Sequence, residues 1–174
     1  MILIRHGQSE WNAVFNRTRV DPGIADPPLT EIGREQARFA ATLLAPRDPA
    51  RLLVSPYRRT LETAEIIAKA LAVPVVIEPL VRERAAYSCD VGTARSHLAS
   101  AWPHLRFDHL EEVWWPAEET EAELAHRCSR FQRLMKDTED WRHVAVISHW
   151  GFIRGLTGLD ARNGEAVPYD PHQG

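Results

Sequence analysis

Four short apolar runs alternate with longer segments of helical periodicity, and this alternation limits the possible folds more than any other feature of the sequence. The runs cover residues 1–4, 51–54, 73–77 and 143–147, and each is β-branched or leucine-rich and bounded by polar or turn residues. Strands that alternate with helices form parallel sheets whose faces the helices cover. The sequence therefore predicts an α/β fold, a three-layer α/β/α sandwich around a mostly parallel central sheet.

Helix boundaries follow from capping residues and apolar spacing. Thr30 is the expected N-cap of a helix that ends near residue 44. Ser55 and Pro56 match the N-cap and first helical position of the next helix. A last helix is expected to begin near residue 152, and the tail that follows it holds a possible edge strand near Val167.

Chain length and composition indicate one domain. A chain of 174 residues, 44% of them hydrophobic, can bury a core that folds unaided. We expect a single domain over residues 1–174, with an insertion over the carboxyl edge of the sheet at about residues 85–116. No run approaches the length of a membrane span, and the apolar start lacks the charged segment of a signal peptide. These features favour a cytoplasmic protein with no membrane partner.

Charge and cysteine content exclude further classes of function. A formal net charge of -3 gives no reason to expect nucleic acid as a partner, because binding to nucleic acid normally needs a basic face. Cys89 and Cys128 lack the spacing of a metal or redox pair, and Cys128 belongs to the apolar stripe of a helix expected over about residues 118–136. His97, His104 and His109 also lack metal-site spacing, so we expect them to bind no metal ion. Oligomeric state is left open.

Reactive residue types follow three of the predicted strands. Arg5, His6 and Gly7 come directly after the first apolar run, a helix start with Arg58 and Arg59 follows the second, and the sequence Ser-His-Trp-Gly at 148–151 follows the fourth. In open α/β sheets, ligands bind outside the carboxyl ends of the strands. We therefore expect these segments to form one site.

Five segments, in this order along the chain, resemble the signature of the histidine phosphatase superfamily, the phosphoglycerate mutase-like proteins. The segments are 3–12, 26–33, 55–64, 80–84 and 146–151. The resemblance covers residues 1–40, 52–84 and 143–160, and it implies the phosphoglycerate mutase-like fold. It also implies a phosphatase that works through a transiently phosphorylated histidine and needs no metal ion and no other cofactor.

The resemblance makes His6 the nucleophile, which must be neutral to attack. Arg5 and a second arginine would lower the pKa of His6 by like-charge repulsion and would bind the phosphoryl oxygens. The family pattern places an arginine four residues after a serine, so the register favours Arg59 as the phosphate ligand, with Arg58 as its rival. An arginine in the first turn of a helix adds its charge to backbone N–H groups that already favour an anion.

The same resemblance supplies the partners of the nucleophile. His149 would form a hydrogen bond to the phosphoryl group, assisted by backbone amides such as that of Gly151, and Glu83 would act as general acid and then general base. Family members often carry glycine where this chain has Trp150, so tryptophan either narrows the pocket or stacks on a substrate ring. Gln8 and Asn12 are carried over as polar contacts to phosphate and to the loop, and Gly7 as the position where the backbone must approach the anion closely.

Three functions are compatible with these residues. A phosphatase is the leading hypothesis, with a small phosphorylated substrate, although a phosphoprotein is also possible. A phosphoglycerate-type mutase would need segments that shield the phosphoenzyme from water, and this chain is short for that purpose. The third is a catalytically silent phosphoryl-binding or regulatory module. Five arginines could bring a second anionic group of the substrate near the site: Arg17, Arg19, Arg82, Arg84 and Arg95.

Overall fold

A single five-stranded sheet forms the centre of the protein. The computed structural model describes residues 1–173, and its strands lie in the order β3-β2-β4-β1-β5. Only β5, at one edge, is antiparallel to its neighbour. The mostly parallel sheet is thus confirmed, as is the edge strand near Val167. The strands are β1 (Ile2–Arg5), β2 (Arg51–Val54), β3 (Val75–Ile77), β4 (Val144–Ser148) and β5 (Ala166–Pro168).

The expected helices begin within a few residues of their predicted starts. Two further helices, Glu10–Thr18 and Arg95–Ala101, lie in segments where no helix was predicted. Thr30 caps α2, where its Oγ1 accepts the N–H of Gly33 at 3.1 Å. The helices are α1 (Glu10–Thr18), α2 (Glu31–Leu44), α3 (Arg58–Leu71), α4 (Arg95–Ala101), α5 (Glu121–Lys136) and α6 (Trp150–Thr157).

Alternating side chains of the strands bury both faces of the sheet. Ile2 and Ile4 face one side, where α2 and α3 cover the sheet, whereas Leu3 faces the other side and packs with Phe131 and Phe152 of α5 and α6. The apolar stripe of α5, including Cys128, is buried in this second layer as expected. The protein is therefore a three-layer α/β/α sandwich.

The start of α3 differs from the prediction. The helix begins at Arg58 with Tyr57 as N-cap, not at Ser55 and Pro56. The Ser55 hydroxyl instead forms a hydrogen bond with Nε2 of His149 at 2.7 Å. The helix N-terminus is capped from a distant loop, because Asp26 Oδ1 accepts the N–H of Arg58 at 2.8 Å.

Residues 85–116 divide between the sheet face and the carboxyl edge. The Trp114 ring lies 4.7 Å from that of Tyr57 in an edge-to-face arrangement, so this tryptophan packs against the core and does not line the cavity described below. His109 forms a hydrogen bond with the carbonyl of Ile77, and His104 lies 3.4 Å from Glu65.

No helix within residues 1–173 has both the length and the apolar content needed to span a membrane.

Candidate active site

Two histidines meet at the carboxyl ends of the neighbouring strands β1 and β4. His6 directly follows β1, and its backbone N–H donates to the carbonyl of Ser148, the last residue of β4, at 2.9 Å. The rings of His6 and His149 lie 5.2 Å apart between centroids, and both residues are buried. Since the sheet register fixes both strand ends, it also fixes the relative position of the two rings.

The environment of His6 favours a neutral imidazole with a free Nε2. Its Nδ1 lies 2.6 Å from the Gly7 carbonyl oxygen, which can only accept, so Nδ1 carries the proton of the neutral ring. Burial, together with the charges of Arg59 and Arg5, holds the pKa of His6 well below its usual value. The lone pair of the neutral ring therefore lies on Nε2, as nucleophilic attack requires.

His149 is also held neutral. Burial lowers its pKa most, and the charge of Arg59 lowers it further. Its Nε2 is bonded to Ser55, whereas its Nδ1 is buried with no hydrogen-bond partner among residues 1–173. A buried polar nitrogen without a partner is costly in a folded protein and is often found at functional sites.

Two arginines flank the histidines and line one cavity with His6. Arg5 ends β1 and donates from Nη1 to the carbonyl of Ala161 at 2.9 Å. Arg59, in the first turn of α3, is only 2% exposed; it donates from Nη1 to the carbonyl of Cys89 at 2.7 Å and from Nη2 to Asp90 Oδ1 at 3.2 Å. Its neighbour Arg58 lies outside the cavity and pairs with Glu62.

Glu83 reaches the same cavity from the segment after β3. Its carboxylate accepts the N–H of Arg84 at 2.8 Å and the N–H of Gly151 at 3.2 Å. Burial and the nearby Asp90 raise the pKa of Glu83, although Arg59 acts in the opposite direction. A raised pKa suits a carboxyl group that has to donate a proton near neutral pH.

Close packing explains the glycine at position 151. A Cβ atom there would lie 2.4 Å from Glu83 Oε1, which no side chain could tolerate without moving the carboxylate. Gly151 therefore contacts Glu83 in addition to lining the cavity. Trp150 lies at the rim, where its Nε1 donates to Asp160 and Arg154 lies over its ring.

Gly7 and Gln8 make close contacts with other parts of the chain, and their expected roles at the phosphate stay predictions. A Cβ at Gly7 would lie 2.2 Å from the carbonyl oxygen of Gly33, so this glycine lets the β1–α1 loop approach α2. The Gln8 side chain accepts a hydrogen bond from Thr30 and does not line the cavity. Asn12 does line it, with its Oδ1 occupied by Ser9 and Asn163.

Several cavity residues were not among the predicted site residues. Asp90 binds Arg59, and Tyr87 lines the cavity beside it, because the turn Ser88–Asp90 folds onto the carboxyl edge of the sheet. Local sequence gives no signal for these contacts.

The structure describes no group of three or more histidines, cysteines and carboxylates that could hold a metal ion within residues 1–173.

Comparison with known proteins identifies the family. The sequence profile of the histidine phosphatase superfamily (branch 1) matches residues 1–167. The chain belongs to the histidine phosphatase superfamily. This match covers every residue of the site described above and confirms the resemblance carried by the five motif segments.

Two similar proteins of this superfamily have different names. Glucosyl-3-phosphoglycerate phosphatase of Mycolicibacterium vanbaalenii is 31% identical over 166 residues, which cover 90% of this chain and 72% of that protein. A protein of Photorhabdus laumondii named as a probable phosphoglycerate mutase, GpmB, is 43% identical over 81 residues, 47% of this chain. The chain spans only about a third, 36%, of the length of this second relative. The first of these relatives and the superfamily place the chain among the histidine phosphatases.

Solved structures agree on the fold. A mycobacterial glucosyl-3-phosphoglycerate phosphatase in complex with VO3 superposes with a TM-score of 0.67 over 95% of this chain and 88% of that chain, at 22% identity. A protein described as mycobacterial hydrolase 1 superposes with a TM-score of 0.63 over 91% of this chain and 78% of that chain, at 24% identity. The phosphoglycerate mutase-like fold is thus confirmed.

Proposed function

We propose that this histidine phosphatase hydrolyses a small phosphomonoester through a phosphohistidine on His6. The observation that carries the proposal is the state of His6, a buried, neutral imidazole whose free Nε2 lies in a cavity with two arginines and a protonatable carboxyl group. Phosphoryl transfer needs a nucleophile, cations on the phosphoryl oxygens and a proton for the leaving group. His6, the arginine pair Arg5 and Arg59, and Glu83 provide these three functions.

The reaction has two steps. In the first, Nε2 of His6 attacks phosphorus, an N–P bond forms while the bond from phosphorus to the alcohol oxygen breaks, and the carboxyl group of Glu83 gives its proton to the departing alcohol. In the second, a water molecule attacks phosphorus, its proton passes to the Glu83 carboxylate, and the N–P bond breaks to release phosphate. The same carboxyl group thus acts as acid and then as base.

The arginines act on the charge of the phosphoryl group. Arg59 is held by the Cys89 carbonyl and by Asp90, so its guanidinium is oriented before substrate binds. Arg5 is oriented in the same way by the Ala161 carbonyl. His149 would donate to a phosphoryl oxygen from its unpartnered Nδ1, with Ser55 fixing the ring through Nε2.

A phosphoglycerate mutase is the second candidate, because relatives with that name are about 40% identical over roughly half of this chain. In a mutase, the phosphoryl group passes from His6 to a second hydroxyl group and not to water. Incubation with 3-phosphoglycerate separates the two functions: a phosphatase releases inorganic phosphate, whereas a mutase accumulates 2-phosphoglycerate, which phosphorus NMR distinguishes.

Turnover of a panel of small phosphomonoesters by purified protein, in excess chelator, tests the proposal. We expect hydrolysis that His6→Ala abolishes and that the matched variant His126→Ala, which changes an exposed histidine of α5, leaves unchanged. Loss of Glu83 as acid should lower the rate by about 10²–10⁴ and loss of Arg59 by about 10²–10³. Undiminished turnover by His6→Ala, or abolition of wild-type turnover by chelator, would refute the mechanism.

A further inference from the structure

The cavity is larger than a phosphoryl group needs. Its volume is about 770 Å³, within the range of pockets that enclose whole organic ligands. The proposed chemistry uses only the residues around His6 and Glu83. The remaining walls are therefore available to contact the alcohol part of the substrate, and their composition indicates which chemical groups that part can carry.

Three aromatic side chains form one wall, which we call the aromatic wall: Trp11, Phe15 and Tyr87. The rings of Trp11 and Phe15 are stacked at 4.4 Å, and the Tyr87 ring contacts both, at 5.2 and 5.5 Å. All three residues line the cavity, and Tyr87 is 50% exposed although it is a large aromatic residue. Such a surface suits the flat face of a ring.

A shared carboxylate holds the aromatic wall in place. Asp21 Oδ1 accepts the indole N–H of Trp11 at 2.9 Å, and Asp21 Oδ2 accepts the backbone N–H of Ser88, next to Tyr87, at 2.9 Å. The Ser88 hydroxyl also donates to Asp21. The wall is thus assembled before any ligand binds, which lowers the entropy lost on binding.

A cation lies next to the aromatic wall. Among residues 1–173, five arginines but only three carboxylates line the cavity, although the sequence has a formal net charge of -3. Arg84 pairs with Glu121, and Arg154 lies 3.8 Å from Asp160. In contrast, Arg19 has no carboxylate within 4.0 Å among residues 1–173.

Arg19 lies one helical turn from Phe15. It is the C-cap of α1, with φ at 57°, and its backbone N–H donates to the backbone carbonyl of Phe15 at 2.8 Å. Both residues line the same cavity, and Arg19 is exposed. A ligand that places a ring on Phe15 can therefore present an anionic group to the side chain of Arg19.

We propose that the alcohol part of the substrate carries both a flat ring, which packs on the aromatic wall, and a second anionic group, which Arg19 binds. This inference rests on the proposed phosphatase activity, because the phosphoryl group of the same molecule must reach His6. It narrows the substrate class to phosphomonoesters of ring-bearing, acidic alcohols.

Four substrates separate the contribution of the ring from that of the second anionic group. Phenyl phosphate and 4-carboxyphenyl phosphate carry a ring without and with a carboxylate, whereas glycerol 3-phosphate and 3-phosphoglycerate carry no ring, again without and with a carboxylate. We expect Arg19→Gln to lower kcat/KM about 5- to 10-fold for the two carboxylate compounds only. Phe15→Leu, which keeps apolar volume but removes the ring, should lower kcat/KM about 2- to 12-fold for the two phenyl compounds only.

Arg17→Gln is the matched control, because it removes the same charge from the same helix but from a side chain that does not line the cavity. Equal losses for all four substrates, or equal effects of Arg19→Gln and Arg17→Gln, would overturn the inference. If wild-type protein hydrolyses none of the four, calorimetry tests the binding site without turnover, and the phosphatase proposal is decided separately by the wider panel of phosphomonoesters. Tightest binding of 4-carboxyphenyl phosphate would then support the inference, and equal affinities would overturn it.

Discussion

Gly151→Ala should impair the proposed catalytic acid, Glu83, while leaving the stability of the protein almost unchanged. The added methyl group would lie 2.4 Å from Glu83 Oε1 and 3.2 Å from its Cδ. An ordinary contact needs about 3.4 Å, so the carboxylate must move by about 1 Å. A displacement of this size can cost about 10²-fold in rate, equivalent to about 2.7 kcal/mol of transition-state stabilisation. We expect this loss in kcat for alkyl phosphates.

Folding stability should respond differently to the same change. Gly151 lies in the first turn of α6, where alanine is favoured over glycine by up to about 1 kcal/mol. The atom that has to move is the end of a flexible side chain and not backbone. We therefore expect the free energy of unfolding of Gly151→Ala to lie within about 1 kcal/mol of the wild-type value.

The assay compares kcat for an alkyl phosphate and for 4-nitrophenyl phosphate, beside urea denaturation of the same preparations. A nitrophenolate departs with little need for a proton, so the decrease in kcat for 4-nitrophenyl phosphate should be much smaller. Gly155→Ala is the control: it adds a methyl group one turn later in α6, against the flexible end of Leu124. Wild-type kcat for the alkyl phosphate in Gly151→Ala would refute the placement of Glu83 as the acid.

Three further predictions concern stability and pH. Burial and Asp90 raise the pKa of Glu83, so the contribution of this carboxyl group to stability falls as pH rises above about 4.3; Glu83→Gln should be more stable than wild type at pH 7 but not at pH 4 in urea titrations. Burial and Arg59 lower the pKa of His149, so the contribution of this imidazole to stability falls as pH drops below about 6.5, by up to about 1.4 kcal/mol per pH unit. His149→Gln should remove this second contribution in the same titrations. Arg127 is buried and bonded to Glu119 and to the carbonyl of Leu80, so Arg127→Met should cost about 3 kcal/mol, and an unchanged urea midpoint would contradict this.

Residues that follow strand ends could be located from sequence, because the topology of a parallel sheet brings those ends to one edge. His6 and His149 needed only the apolar runs before them to be recognised as strands. The choice of Arg59 over Arg58 also depends on local geometry, since adjacent helical residues point about 100° apart. The structure places Arg59 in the cavity and Arg58 on the surface, and the role of Arg59 as the phosphate ligand stays a prediction.

Contacts between residues far apart in sequence could not be located in this way. Ser55 has the residue type of an N-cap, but its hydroxyl binds His149, which is 94 residues away, and Asp26 caps the helix in its place. Gly7 and Gln8 match a family motif, and the structure adds two contacts that the motif does not predict, the close approach of Gly7 to Gly33 and the hydrogen bond from Thr30 to Gln8. In each case a group from a distant part of the sequence contacts the residue. The local sequence pattern does not show that this contact forms.

The charges around His6 explain why the same arginines suit both states of the proposed reaction. Without a ligand, burial and the charges of Arg5 and Arg59 keep the imidazole neutral and its Nε2 lone pair available. A phosphoryl dianion brings the opposite charge into the same low-dielectric cavity, so the cations that disfavour a proton on His6 then stabilise the developing charge on the phosphoryl oxygens. A cavity without these arginines would lose both effects at once, which is why nucleophile activation and phosphate binding should fail together in Arg59 variants.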